Sequence, residues 1–123
     1  GKPSLAGNMA VVRAKMMELL AERDFSPDER EEAFLIGFFS LLDRMLGCPM
    51  AEALTMLKLD TPITDTLLKG TGKYMDLLAM AIACEMDDAA VFADATQRLD
   101  VSYREVNVAH MEAIIWAEAV YQE

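Results

Sequence analysis

A chain of 123 residues, 54% of them hydrophobic, can bury one modest core and is too apolar to stay disordered. Its formal charge of −10 repels phosphate backbones and anionic membrane surfaces, and no cluster of Lys and Arg offsets that locally. Neither nucleic acid nor a membrane is expected as a partner.

Residues 1–8 read as a flexible N-terminal segment and 9–123 as a single all-helical domain. Met9, Val12, Met16, Leu19 and Leu20 recur at helical spacing while Arg13, Glu18 and Glu22 fall on the other side, which predicts a first helix. "FSPDERE" carries a start signal: Ser26 as N-cap, Pro27 at the first helical position and Glu29 to return the capping bond. In the helix that follows, Phe34, Leu35, Phe38, Leu41, Leu42 and Met45 make one apolar face, and Ile36, Phe39 and Leu46 a second. Both sides need covering, so it is expected to be the central helix of the domain, ended by Gly47 and Pro49.

"PMAEALTMLKL" predicts a short helix, and Thr61 with Pro62 opens another that runs through Leu67 and Leu68 to Gly70. "GKYMDLLAMAIACEMDD" predicts a further helix whose alanines favour close packing; Asp87 or Asp88 caps the next, with Val91, Phe92, Ala95 and Leu99 on one face. Ser102 and Glu105 repeat the capping box and open the last helix, striped by Val106, Ala109, Ala113, Trp116 and Val120. No stretch alternates at strand period and no repeat or low-complexity linker divides the chain. The expectation is an all-α, compact multi-helix bundle of about seven helices.

Chemistry is harder to find. His110 is the sole histidine, so a metal site would have to be built from carboxylates, and Glu85, Asp87 and Asp88 lack the alternating ligands and central glycine of a calcium loop. They read instead as a helix end, a turn and an N-cap. "LLKGTGKY" invites comparison with a phosphate-binding loop, but Leu67 stands where the first glycine belongs and Tyr74 where Ser or Thr would hold magnesium. A glycine-bearing turn between helices is the reading.

Ser40 is in no GxSxG elbow, and Cys48 and Cys84 form no CxxC or Cys/His spacing. Cys48 reads as a turn residue, Cys84 and most methionines as core, and free thiols point to a reducing compartment, hence the cytoplasm. The longest wholly apolar run, "LLAMAIAC", is far below the roughly 20 residues of a spanning helix, and no charged-then-apolar export signal opens the sequence.

"EEAFLIGFFSLLDRMLGCPMAEALTMLKL", "ITDTLLKGTGKYMDLLAMAIACEMDD" and "HMEAIIWAEAVYQ", spanning residues 9–121 in order, resemble the C-terminal half of an HDOD domain, closest to the version in bacterial proteins that also carry an EAL domain. HDOD domains are similar to metal-dependent HD phosphohydrolases, whose matching helix reads like "AFLxGLLHDIG" with a His–Asp pair holding metal. Laid through Ala33 and Gly37, the resemblance puts Ser40 at the histidine and Leu41 at the aspartate. It therefore implies a scaffold without catalytic residues, metal or cofactor, in which Gly37 and Ser40 let another helix approach. Asp43 and Arg44 near the helix end are read as a solvated pair.

The resemblance implies a non-catalytic module of bacterial signal transduction, acting by protein–protein contact and linked to cyclic di-GMP or two-component signalling. EAL, receiver or similar domains are the implied partners, in the same chain or another. A small-molecule sensor bundle and a divergent metal-dependent phosphohydrolase stand as alternatives. Ser40, Asp43, Arg44 and His110 are the candidate contact residues. Because the family's helical unit is about twice this long, apolar faces on the first two helices are expected to find cover in a homodimer.

Overall fold

The computed structural model describes residues 4–121, and among them every regular element is helical. The order is α1 (Leu5–Leu20), α2 (Pro27–Phe39), α3 (Leu42–Leu46), α4 (Met50–Leu54), α5 (Thr61–Lys69), α6 (Met75–Ala83), α7 (Ala89–Leu99) and α8 (Tyr103–Tyr121). Of the expected flexible segment, residues 1–3 lie outside the described residues. The rest is helix, since the Ser4 side chain accepts from the Gly7 amide and α1 starts at Leu5.

The punctuation follows side-chain chemistry. Ser26 and Glu29 exchange both bonds of the capping box at α2, and Ser102 and Glu105 do so ahead of α8. Of the two candidate caps for α7 it is Asp88 that serves, its carboxylate accepting from the amides of Ala90 and Val91. Gly47 and Gly70 end α3 and α5 in the left-handed region, at φ 69° and 65°. Within "LLKGTGKY", residues 70–74 make the turn between α5 and α6, as its glycines predict.

The middle of the chain differs from the expectation. The long second helix is split, giving eight helices among the described residues: α2 stops at Phe39, Ser40 and Leu41 form a turn, and α3 resumes at Leu42. Ser40 turns its hydroxyl back to donate to the Gly37 carbonyl at 2.7 Å, and Leu41 leaves helical geometry at φ −113° and ψ 10°. The central element is α1, not α2, because α1 packs against α2, α3, α6 and α8. Its small and unbranched residues, Ala10, Ala14, Met16 and Met17, serve several neighbours at once.

The core joins Met16 and Met17 of α1 to Ile36 of α2, Leu77 and Met80 of α6, and Val106 of α8. Tyr74 is buried among them, stacked on Phe25 at 5.6 Å, with its hydroxyl donating to Glu32 at 2.7 Å. Burial and that carboxylate together raise its pKa. On α8 the inward stripe is Val106, Ala109, Ala113 and Ala117, while Val120, expected there, is exposed. The large apolar side chains left in solvent are concentrated on α8; α2 has none of them and α1 only Leu5, at its start. The first two helices thus cover each other, contrary to the expectation that both would need outside cover.

The α1–α2 contact is closest at Gly37. A Cβ there would lie 2.7 Å from the Ala14 Cα and amide nitrogen and 2.8 Å from the Arg13 carbonyl carbon, all backbone atoms that cannot rotate aside. Gly37→Ala is expected to lower unfolding free energy by about 3 kcal/mol, the upper end for overpacking. Gly47→Ala, which meets nothing within 4 Å, costs only its left-handed φ, about 1 kcal/mol. Urea unfolding midpoints of the two variants check the order, and an equal loss would contradict it.

Candidate functional site

Arg13 sits midway along α1 with Ala10, Met16 and Met17, all buried, one turn before and after it. It is itself only 6% exposed. A guanidinium so placed needs partners for its donors, and the bonds it makes go to residues just past the ends of α2 and α6. Nε donates to Glu85 Oε2 at 2.6 Å and Nη2 to Glu85 Oε1 at 2.7 Å, a two-pronged pairing with the residue just past the end of α6. The Glu85 backbone is in the open, but its side chain is 20% exposed and turned inward.

The third prong decides what Ser40 does. Arg13 Nη1 donates to Ser40 Oγ at 3.1 Å, while the Ser40 hydroxyl donates to the Gly37 carbonyl at 2.7 Å. The hydroxyl proton is thus directed at a backbone carbonyl and not at a base that could take it. Gly37 makes the arrangement possible, because the missing Cβ lets α1 come near enough for the guanidinium to reach past it.

At the position that the resemblance aligns with a metal-holding histidine, the serine is therefore held by a permanent cation belonging to the chain. Leu41, at the aspartate position, is 2% exposed and part of the core. A hydrocarbon, a hydroxyl already bonded twice and a fixed positive charge do not fit a divalent cation. Among the described residues no group of three or more His, Cys, Asp or Glu is placed to hold a metal ion.

The other candidate residues are dispersed. Asp43 is half-buried and accepts from the Arg44 amide at 2.9 Å; the Arg44 side chain is exposed and forms no ion pair among the described residues. His110 is half-buried in a different groove of about 350 Å³, between α6, α7 and α8, with Cys84, Asp87, Phe92, Tyr103 and Asn107. Ser40 and His110 are thus in separate places, and only Ser40 belongs to the buried network.

Arg13 and Glu85 escaped the sequence reading, which put Arg13 on the outer side of its helix and Glu85 in a helix end. A signal was present, since an arginine whose neighbours at i−3, i+3 and i+4 are Ala10, Met16 and Met17 cannot face water when they face the core.

A further groove, of about 390 Å³, lies where α1, α2 and α8 meet. Trp116 meets the edge of Phe34 at 5.9 Å, and Lys15 Nζ stands 5.0 Å from the indole centre while bonding Glu18 at 2.6 Å. Leu35 and Glu31 complete its walls.

Over 119 residues, 97% of its length, the chain is 27% identical to the cyclic di-GMP phosphodiesterase CdgJ of Vibrio cholerae serotype O1. Over 108 residues, 88% of its length, it is 28% identical to the uncharacterized protein YuxH of Bacillus subtilis. These matches cover 28% and 26% of the two proteins, so the chain spans about a quarter of the length of the curated relatives it matches. No family model and no solved structure matches the sequence. No described helix is long and apolar enough to cross a membrane.

Removing one member of the Arg13–Glu85 pair strands the other. Arg13→Met is expected to cost about 2–4 kcal/mol, a little under the ~3–5 for a fully buried pair because Glu85 retains some water. Glu85→Leu strands the more deeply buried charge and costs at least as much. The double variant is expected to recover about 1–3 kcal/mol relative to the sum. Additive losses in chemical denaturation would refute the pairing.

Burial first, and the Glu85 charge second, push the Cys84 thiol up to about 11. In a Cys48→Ser background, iodoacetamide labelling of Cys84 is expected to keep accelerating through pH 10. A plateau by pH 9 would contradict it. Between about pH 8.5, the unfolded thiol's value, and 11 the folded chain binds more protons than the unfolded one, so this group's contribution to stability falls as pH rises.

Proposed function

We propose that the chain is a non-catalytic, HDOD-like signal-transduction module that works by protein–protein contact in the bacterial cytoplasm. Its pathway is cyclic di-GMP-linked or two-component signalling, with an EAL, receiver or similar domain as partner. The observation that carries this reading is the Arg13–Ser40–Glu85 network. Where a phosphohydrolase of the resembled kind would present a cation to substrate phosphate, this chain has a buried guanidinium that directs three donors inward, to Glu85 and Ser40.

The similarity to a protein named as a cyclic di-GMP phosphodiesterase supports the signalling context. It leaves most of that relative outside the match, and the proposal assigns phosphodiesterase chemistry to the unmatched part. A second reading, a small-molecule sensor, is favoured by one feature, the groove beside Trp116, where an indole, a phenyl edge and Leu35 offer a site for a flat aromatic ligand.

Purified chain supplied with manganese or magnesium is expected to retain no stoichiometric metal by mass spectrometry and to leave cyclic di-GMP intact. Stoichiometric metal with turnover would instead support the divergent phosphohydrolase. In a thermal-shift series on the same sample, a nucleotide or aromatic acid that raises the melting temperature and quenches Trp116 would favour the sensor reading.

A further inference from the structure

We propose that the outer face of α8 pairs with the same face of a second copy of the chain, antiparallel, about a two-fold axis passing near Met111. The inference goes beyond the proposed function and is independent of it, since it is argued from the exposed face of α8 alone. It begins with a spacing. Along α8 the residues Arg104, Val108, Met111, Ile115 and Glu118 follow one another at intervals of four, three, four and three. That is the seam of a helix built to meet another helix.

The seam is in solvent, although its middle is aliphatic. Met111 and Ile115 are each 63% exposed and Val108 49%, with Ile114 at 48% on the flank. The opposite stripe, Val106, Ala109, Ala113 and Ala117, is the one that α1 covers. A shallow trough of about 490 Å³ beside Val108 and Met111, walled by Arg104, Asn107 and Glu112, gives an incoming side chain a place to seat.

What selects a second copy as occupant is the charge at the two ends. Arg104 and Glu118 stand seven residues on either side of Met111, and both are exposed with no ion pair among the described residues. At a rise of about 1.5 Å per residue each lies about 10 Å from the centre, so a two-fold axis at Met111 brings Arg104 of each copy level with Glu118 of the other. Parallel pairing would instead set arginine on arginine and glutamate on glutamate. The seam is therefore self-complementary in one orientation only.

The area sets the strength. Four partly exposed aliphatic side chains amount to on the order of 400 Å² per copy, about half of a standard interface, which corresponds to a weak, concentration-dependent dimer.

Sedimentation equilibrium of the chain from micromolar to near-millimolar concentration is expected to show a reversible monomer–dimer equilibrium. Met111→Glu is expected to weaken it about tenfold or more, by desolvating a charge at the axis. Arg104→Glu or Glu118→Arg alone weakens it about threefold or more by placing like charges at both ends, and the double variant restores wild-type affinity. Circular dichroism on each variant confirms that α8 still folds. Monomer at every concentration overturns the proposal, including the case in which the face takes up phosphatidylcholine vesicles instead. A dimer indifferent to Met111→Glu, or to both single charge reversals, overturns it as well.

Discussion

A guanidinium withdrawn from water governs how this chain packs. Losing its hydration costs several kcal/mol, and only short, well-directed bonds to an opposite charge offset that. Arg13 finds them on Glu85 and Ser40, which come from the ends of two other helices. The network therefore joins α1, the close of α2 and the close of α6. Because any slip along α1 would strand a charge in the core, its contribution is to the register of the three helices more than to net stability.

The local irregularities follow from that register. For the guanidinium to reach Ser40, α1 must pass Gly37 at backbone contact, which is why a glycine stands within the last turn of α2 where it costs intrinsic stability. Ser40 in turn bonds back to the Gly37 carbonyl, the helix ends, and Leu41 drops into the core at the break. The division of one long apolar segment into α2 and α3 is thus a consequence of seating one buried charge.

Local rules made much of the fold legible. Both capping boxes, the Asp88 cap and the two left-handed glycines depend on residues within four positions of one another, and sequence displays that range directly. The break at Ser40 and the rank of α1 as the centre were hidden, since both depend on partners far along the chain, Arg13 with Ser40 and Arg13 with Glu85. Periodicity also misassigned Val120, because α8 is apolar on two sides and a moment alone does not say which side is inside. Of the candidate site, Ser40 was legible through the family-like spacing around Gly37; its partners were not.

The exchange of ligands implied by the resemblance carries its own functional logic. A metal held by imidazole and carboxylate is exchangeable, so a fold organised around it responds to metal supply and to the protonation of its ligands. A guanidinium in the same neighbourhood is covalently part of the chain and does not exchange with solution, so the helices it joins stay joined. With the centre fixed in this way, the signalling role proposed above would rest on contacts at the surface and not on loading of the interior. On that proposal, the surfaces that matter are the Trp116 groove and the exposed side of α8.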